Sequence, residues 1–264
     1  MNIIEVRNLT KSFGEVKAVD DITFDVAEGE IFAFLGPNGA GKSTTIKMLT
    51  TLLKPTTGTI RVNNYDPVTN PDAVRRSYGI VFQDPAVDDE LTAWENMEFH
   101  GVLYGVPKAE RHERIDALLK FVELGDRANS QVKEFSGGMR RRLEIARGLL
   151  HTPKIVFLDE PTLGLDPQTR NGMWSYLQQL NKSDKTTVFF STHYMEEAER
   201  VAQRIAIIDH GKIVAMGTAE ALRAQTGTNS LEDAFLALTG KTIREEEGSS
   251  ADRMRAVLRA RRGR

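Results

Sequence analysis

Cysteine is absent from the 264 residues, which excludes disulfides and thiolate metal sites and favours a reducing compartment such as the cytosol. A dominant charge is missing too. The 35 Lys and Arg against 37 Asp and Glu leave a formal −2, so no global field calls for nucleic acid or an anionic membrane, and no nucleic-acid partner is expected. No apolar run approaches the ~20 residues that cross a bilayer. The opening Met1-Asn2-Ile3-Ile4-Glu5 has neither the charged start nor the apolar core of a secretion signal. The expectation is a soluble chain that borrows any membrane role from a partner. Its length suits one large or two small domains with a sizeable core.

What is present is a glycine-rich loop, Gly36-Pro37-Asn38-Gly39-Ala40-Gly41-Lys42-Ser43-Thr44. It follows an apolar run, 31–35, that reads as a buried strand, and precedes 44–49, which reads as a helix start. Glycines let successive N–H groups turn inward as an anion nest, and a helix N-terminus adds unpaired donors. Lys42 offers a point charge for outer phosphates, and the Ser43 hydroxyl can join the oxygen shell of Mg²⁺. An ordinary glycine turn is the bland alternative. Four fixed positions at background frequencies arise by chance in roughly one chain of this size in a hundred, so the nucleotide reading leads.

Taken in order, residues 3–9 and 17–26 read as strands, the second with Ile22, Phe24 and Val26 alternating with polar neighbours. Between them 11–14 reads as a loop carrying Phe13, which either offers its face to an adenine ring or pins the loop to the core. Residues 59–62 read as a short strand, and 78–82 as a buried one closed by Gln83. From about 91 to 152 strand signals vanish. Helices over 91–104 and 108–124, split by Gly105-Val106-Pro107, predict a helical insertion. Leu91, Trp94, Met97, Phe99 and Leu103 give its first helix more large apolar surface than one core face needs, which suits a partner's helix. Ser136-Gly137-Gly138 opens another helix and makes a second anion site; Arg140, Arg141 and Arg142 read as its solvated flank.

A buried strand over 155–158 ends in Asp159-Glu160, where one acid can fix Mg²⁺ through its shell and the other polarise water. Alone, such an ending is an ordinary strand exit; it acquires meaning beside a Gly-Lys-Ser loop. Residues 163–167 read as a turn with Pro167 starting a helix. A strand over 186–192 delivers His193 to the same edge, since the carboxyl ends of parallel strands line the ligand crevice. Residues 204–209 and 212–216 read as a hairpin. Beyond 226 come a short helix at 231–238, an acidic linker at 245–250 and six arginines within 253–264, expected to be a frayed tail whose removal spares the core.

With the loop at 36–43, Gln83, Ser136-Gly137-Gly138, Asp159-Glu160, the Leu165-Asp166 turn and His193 in this order, the chain resembles the ATP-binding subunits of ABC transporters over roughly 3–220. Its wording at 135–142, at 164–170 and at 231–235 is similar to the daunorubicin-resistance-type, or ABC-2, exporter branch. The resemblance implies an α/β P-loop NTPase (RecA-like) core with an N-terminal antiparallel β subdomain and a helical subdomain inserted at about 85–152. It also implies an ATP-binding domain over 1–225, followed by a C-terminal helix and charged tail over 226–264. It implies that Phe13 stacks on adenine and that Lys42 and the loop amides hold phosphates. Ser43 and Gln83 would coordinate Mg²⁺ with Asp159 nearby, Glu160 would be the catalytic base, His193 would reach the γ-phosphate, and Asp166 would lie at a dimer contact. Implied further are ATP hydrolysis, an ATP-bound homodimer, a separate integral membrane permease and a place at the cytoplasmic face of the cell membrane. Phe135 and Met139 depart from the commoner Leu-Ser-Gly-Gly-Gln, and Phe13 stands where Tyr is common. The rival readings are a non-transport ATPase of the same kind, acting on nucleic acid, ribosomes or an assembly machine, and a regulatory module that does not hydrolyse. Intact Glu160 and His193 speak against the latter.

Overall fold

Short runs with no polar member, five residues at 31–35 and four at 155–158, are the pattern of strands covered on both sides, and both lie inside the main sheet. The computed structural model describes residues 1–82 and 86–240; the expectations for Gln83 and for the tail from 241 onward lie outside them. β3 (Ile31–Leu35) sits between β7 (Thr187–Thr192) and β8 (Arg204–Asp209) in a six-stranded sheet of order β5-β6-β7-β3-β8-β9. β5 (Tyr78–Val81), β6 (Ile155–Asp159), β7, β3 and β8 run parallel, and β9 (Lys212–Gly217) returns antiparallel beside β8 as the expected hairpin. The parallel order brings the carboxyl ends of β3, β6 and β7 to one edge.

Successive residues of each central strand face opposite ways. Ile31, Ala33, Leu35, Val156, Leu158, Val188 and Phe190 pack on one side with the helices. Phe32, Phe34, Phe157 and Phe189 pack on the other, against a three-stranded antiparallel sheet. That smaller sheet has β1 (Asn2–Phe13) between β2 (Val16–Ala27) and β4 (Thr57–Val62). Phe24 of β2 stacks on Phe32 at 5.8 Å between centroids, which fixes one sheet over the other.

One expectation changes here. Residues 11–13 are strand rather than loop: Lys11 pairs with Val19 and Ser12 with Lys17. Two residues, Gly14-Glu15, suffice to reverse the chain because Gly14 adopts φ 59. Phe13 therefore stands at a hairpin tip, 53% exposed, with Lys11 Nζ 5.1 Å from its ring centre.

The helical insertion follows its expected outline, with α3 (Ala93–Leu103), α4 (Lys108–Phe121) and α5 (Gly137–Leu149). Thr92 starts α3 through a capping box with Glu95. The expected apolar face of that helix is split. Met97 is fully buried and Trp94 is half-buried against the His112 ring, whereas Phe99, Val102 and Leu103 are exposed at 61%, 55% and 66%. The physical reason is that Met97 packs in the helix-side core cluster, while the other three, spaced i, i+3, i+4, point away from it. Around the sheet lie α1 (Lys42–Leu49), α2 (Pro71–Ser77), α6 (Pro167–Asp184), α7 (Met195–Val201), α8 (Ala219–Thr226) and α9 (Leu231–Thr239). Leu231 and Phe235 of α9 join the helix-side core cluster.

Candidate functional site

Leaving β3, the chain turns at Gly36, whose N–H donates to Thr192 O at 3.2 Å. A Cβ at Gly36 would lie 2.3 Å from Ile208 O, so only glycine lets the loop rest on β8. At Gly41, φ is 109 and a Cβ would lie 2.5 Å from Ala18 O. These two close approaches wrap 36–41 into a loop that opens onto the first turn of α1. Lys42, first residue of that helix and buried, donates through Nζ to Gly36 O at 2.7 Å and Pro37 O at 3.1 Å. The same Nζ lies 3.2 Å from Glu160 Oε1.

The end of β6 supplies the acids. Asp159 Oδ1 accepts from Ser43 Oγ at 3.1 Å and from Ser191 Oγ of β7 at 2.5 Å. Glu160 adopts φ 48, in the left-handed region, and its N–H donates to both the carbonyl and the hydroxyl of Ser191, at 3.2 and 3.1 Å. His193 Nδ1, just beyond β7, lies 3.2 Å from Glu160 Oε2. The Glu160 carboxylate is thus flanked by Lys42 on one oxygen and His193 on the other. Burial pushes its carboxyl up, but the His193 contact and the Lys42 charge outweigh that and hold it below the usual carboxylate range. A carboxylate kept ionised beside a phosphate loop can accept a proton from water or polarise it.

The structure therefore brings Lys42, Ser43, Asp159, Glu160 and His193 together. Ser136, Gly137 and Gly138 belong to a separate place: Ser136 caps α5 by accepting from Met139 N at 3.3 Å, and a Cβ on Gly137 would meet nothing within 4 Å. A Cβ on Gly138 would touch Leu165 at 3.9 Å, so this helix start adjoins the 163–167 turn. There Asp166 is exposed and caps α6, accepting from Thr169 N at 3.0 Å and Thr169 Oγ1 at 2.6 Å.

The three arginines of α5 divide. Arg140 and Arg142 pair at the surface with Asp89 and Glu123, as expected of a solvated flank. Arg141 does not: it is 6% exposed and ion-paired with buried Glu144 at 3.3 Å. The reason is that carbonyls from two distant segments turn inward beneath α5 and satisfy its guanidinium. The Arg141 and Glu144 spacing of i, i+3 was the one legible signal.

The ABC transporter family profile matches residues 19–163. The chain is 45% identical over 228 residues to the daunorubicin/doxorubicin resistance ATP-binding protein DrrA of Streptomyces peucetius, spanning 86% of this chain and 69% of that protein. Among solved structures it resembles an ATP-binding subunit of an ABC transporter, with TM-score 0.84 and 33% identity over 89% of this chain and 99% of the other. It also resembles a dimeric ATP-binding cassette in a post-hydrolysis state bound to ADP and Pi, with TM-score 0.75 and 32% identity over 81% and 98%. With a phosphate loop, an ionised acid beside its lysine and these likenesses, the chain belongs to the ABC transporter family, as an ATP-binding and ATP-hydrolysing subunit.

Proposed function

We propose that the subunit binds ATP with Mg²⁺, closes on a second copy of itself across two nucleotides, and drives a separate integral membrane permease of an exporter. The observation that carries this reading is the convergence of Lys42, Glu160 and His193 within 3.2 Å contacts at one sheet edge. Incoming phosphates compete with Gly36 O, Pro37 O and Glu160 for the Lys42 ammonium, and the amides of 36–44 receive the phosphate oxygens. The exposed Phe13 ring offers its face to the adenine.

The donor set fits Mg²⁺. The Ser43 hydroxyl and an Asp159 oxygen stand 3.1 Å apart, and this ion takes one or two protein oxygens and completes its shell with phosphates and water. Ser43 and Asp159 would hold it, with Gln83 a further oxygen donor. Bound there, the ion supplies positive charge that offsets the charge growing on the phosphate oxygens. Glu160 orients and deprotonates the attacking water, and His193, held beside it, reaches the γ-phosphate. Ser136, Gly137 and Gly138 cover the partner's nucleotide, and Asp166 lies at the contact between copies.

Support for export comes from the DrrA relative, named for drug resistance, and support for pairing from the dimeric cassette. No described helix is long and apolar enough to cross a membrane; the proposed station is the cytoplasmic face of the cell membrane, held by the permease. Glu160→Gln tests the centre of the reading. It preserves shape and removes the base, so the purified variant should retain ATP and release phosphate very slowly. Phosphate release at the wild-type rate overturns the role given to Glu160.

A further inference from the structure

A guanidinium has five N–H donors in a rigid plane, and around Arg141 the chain supplies five acceptors. Nε donates to Pro161 O at 2.9 Å, and Nη2 to Asp159 O and Glu160 O at 3.2 Å each. Nη1 donates to Phe82 O and meets Glu144 Oε2 at 3.3 Å. Three of the carbonyls are consecutive and bracket Glu160. A strand end whose three successive carbonyls converge on one cation cannot continue as strand, and here Glu160 takes the left-handed φ of 48 that few side-chain-bearing residues adopt.

The other half of the pair faces the helical insertion. Glu144 Oε1 accepts from Ala86 N at 2.5 Å, and Arg147, one turn further along α5, donates to Ala86 O. One buried ion pair thus holds the exit of β5 at Phe82, the entry to the insertion at Ala86, and the backbone of Glu160. Lys42, on α1, has besides its Glu160 contact the loop carbonyls of Gly36 and Pro37, which are not among the acceptors of Arg141.

We propose that Arg141 is a positioning residue for Glu160: through Arg141 and Glu144, α5 sets the backbone that aims the Glu160 carboxylate between Lys42 and His193, so that displacement of the helical insertion alters turnover rather than ATP binding. The inference rests on Glu160 being the base, as proposed above. Lysine cannot replace Arg141, because three rotatable donors do not match five fixed acceptors.

The test is steady-state ATPase over a range of ATP concentrations for the wild type, Arg141→Lys, Arg141→Met and the double variant Arg141→Met with Glu144→Leu. The double variant removes both charges together and leaves no unpaired buried carboxylate. In the double variant kcat should fall about 10²-fold, the scale of a misplaced catalytic group, with KM for ATP unchanged; Arg141→Lys should also lose kcat. A double variant with wild-type kcat overturns the proposal. So does a fall in kcat that merely tracks the folded fraction. Glu160→Gln is measured in parallel. If it abolishes turnover while the Arg141 variants stay normal, the positioning role alone fails. If it turns over normally, the base reading falls and takes this inference with it.

Discussion

Lys42 is held charged against its surroundings. Burial lowers its pKa, and Glu160 and Asp159 oppose that, so the ammonium is poised to exchange a carboxylate and two carbonyls for phosphate oxygens. Lys42→Ala removes the cation and leaves Glu160 facing the same oxygens. Truncating one partner of such a buried pair costs at least about 2 kcal/mol, or roughly 30-fold in Kd. Titration with a fluorescent ATP analogue checks this, and unchanged affinity counts against the site. His100, on α3, makes the opposite kind of demand. Burial, then the charge of Arg147 and the neighbouring His151, push it from 6.5 down to about 3, and its Nε2 has no hydrogen-bond partner among the described residues. Its folded pKa lies below the unfolded one, so the neutral ring's contribution is intact above 6.5 and is lost as pH falls from 6.5 towards 3. At about pH 5 that loss is roughly 2 kcal/mol from this ring, and His151, also lowered by burial, adds to it. Urea unfolding near pH 7.5 and about pH 5 should show a smaller acid loss for His100→Phe than for the wild type; equal losses would refute the assignment.

Elements differed in how plainly the sequence announced them, and the difference has a cause. β3, β6 and β7 are covered on both faces, so their middles are continuous apolar runs with polar residues only at the ends of β6 and β7, and nothing competes with that reading. α2, α7 and α8 are short and bury few side chains each; in α7 one of these is Glu197, whose Oε2 accepts from Thr192 Oγ1 at 3.3 Å. A buried Glu there reads as surface until its partner strand is placed. The phosphate loop, Asp159, Glu160 and His193 were legible because they fall at strand ends, where parallel topology leaves one place for them to meet. Arg141 was not, since its acceptors are backbone carbonyls that no sequence pattern marks. On α3 periodicity gave the helix but not which apolar face is covered. That correction sharpens the docking expectation to Phe99, Val102 and Leu103. Phe99→Glu should leave the ATPase of the isolated subunit intact and abolish copurification with the permease. Met97→Glu, which buries a charge in the core, should cost several kcal/mol and lose both. If the permease still copurifies with Phe99→Glu, its docking surface lies on another element.

At the scale of the whole molecule, the proposed reading gives the chain two anion-binding devices that do not form one site. One is built on α1 around Lys42; the other is the exposed start of α5, beside the 163–167 turn. A two-fold pair of chains can set the second device of each copy over the nucleotide of the other, which closes two equivalent sites at once. On that proposal, hydrolysis would remove the γ-phosphate both copies hold, and the pair would reopen. Glu160→Gln separates these steps. It removes the carboxylate that shares Lys42 at 3.2 Å, so the ammonium loses a competitor to the phosphates while turnover stops, and ATP stays in place. Light scattering of this variant should report twice the 29.5 kDa chain mass with ATP and a monomer without it. Adding Gly137→Asp supplies the control. A Cβ there meets nothing within 4 Å, and an acid in the first turn of a helix is no burden to the free subunit. Aimed at a partner's phosphates, however, the same carboxylate repels them. The double variant should therefore bind ATP as tightly per chain as Lys42 allows and remain a monomer. If it dimerises as readily as Glu160→Gln alone, the start of α5 does not cover the partner's nucleotide. If Glu160→Gln itself stays monomeric with ATP bound, the two devices do not meet across a dimer at all.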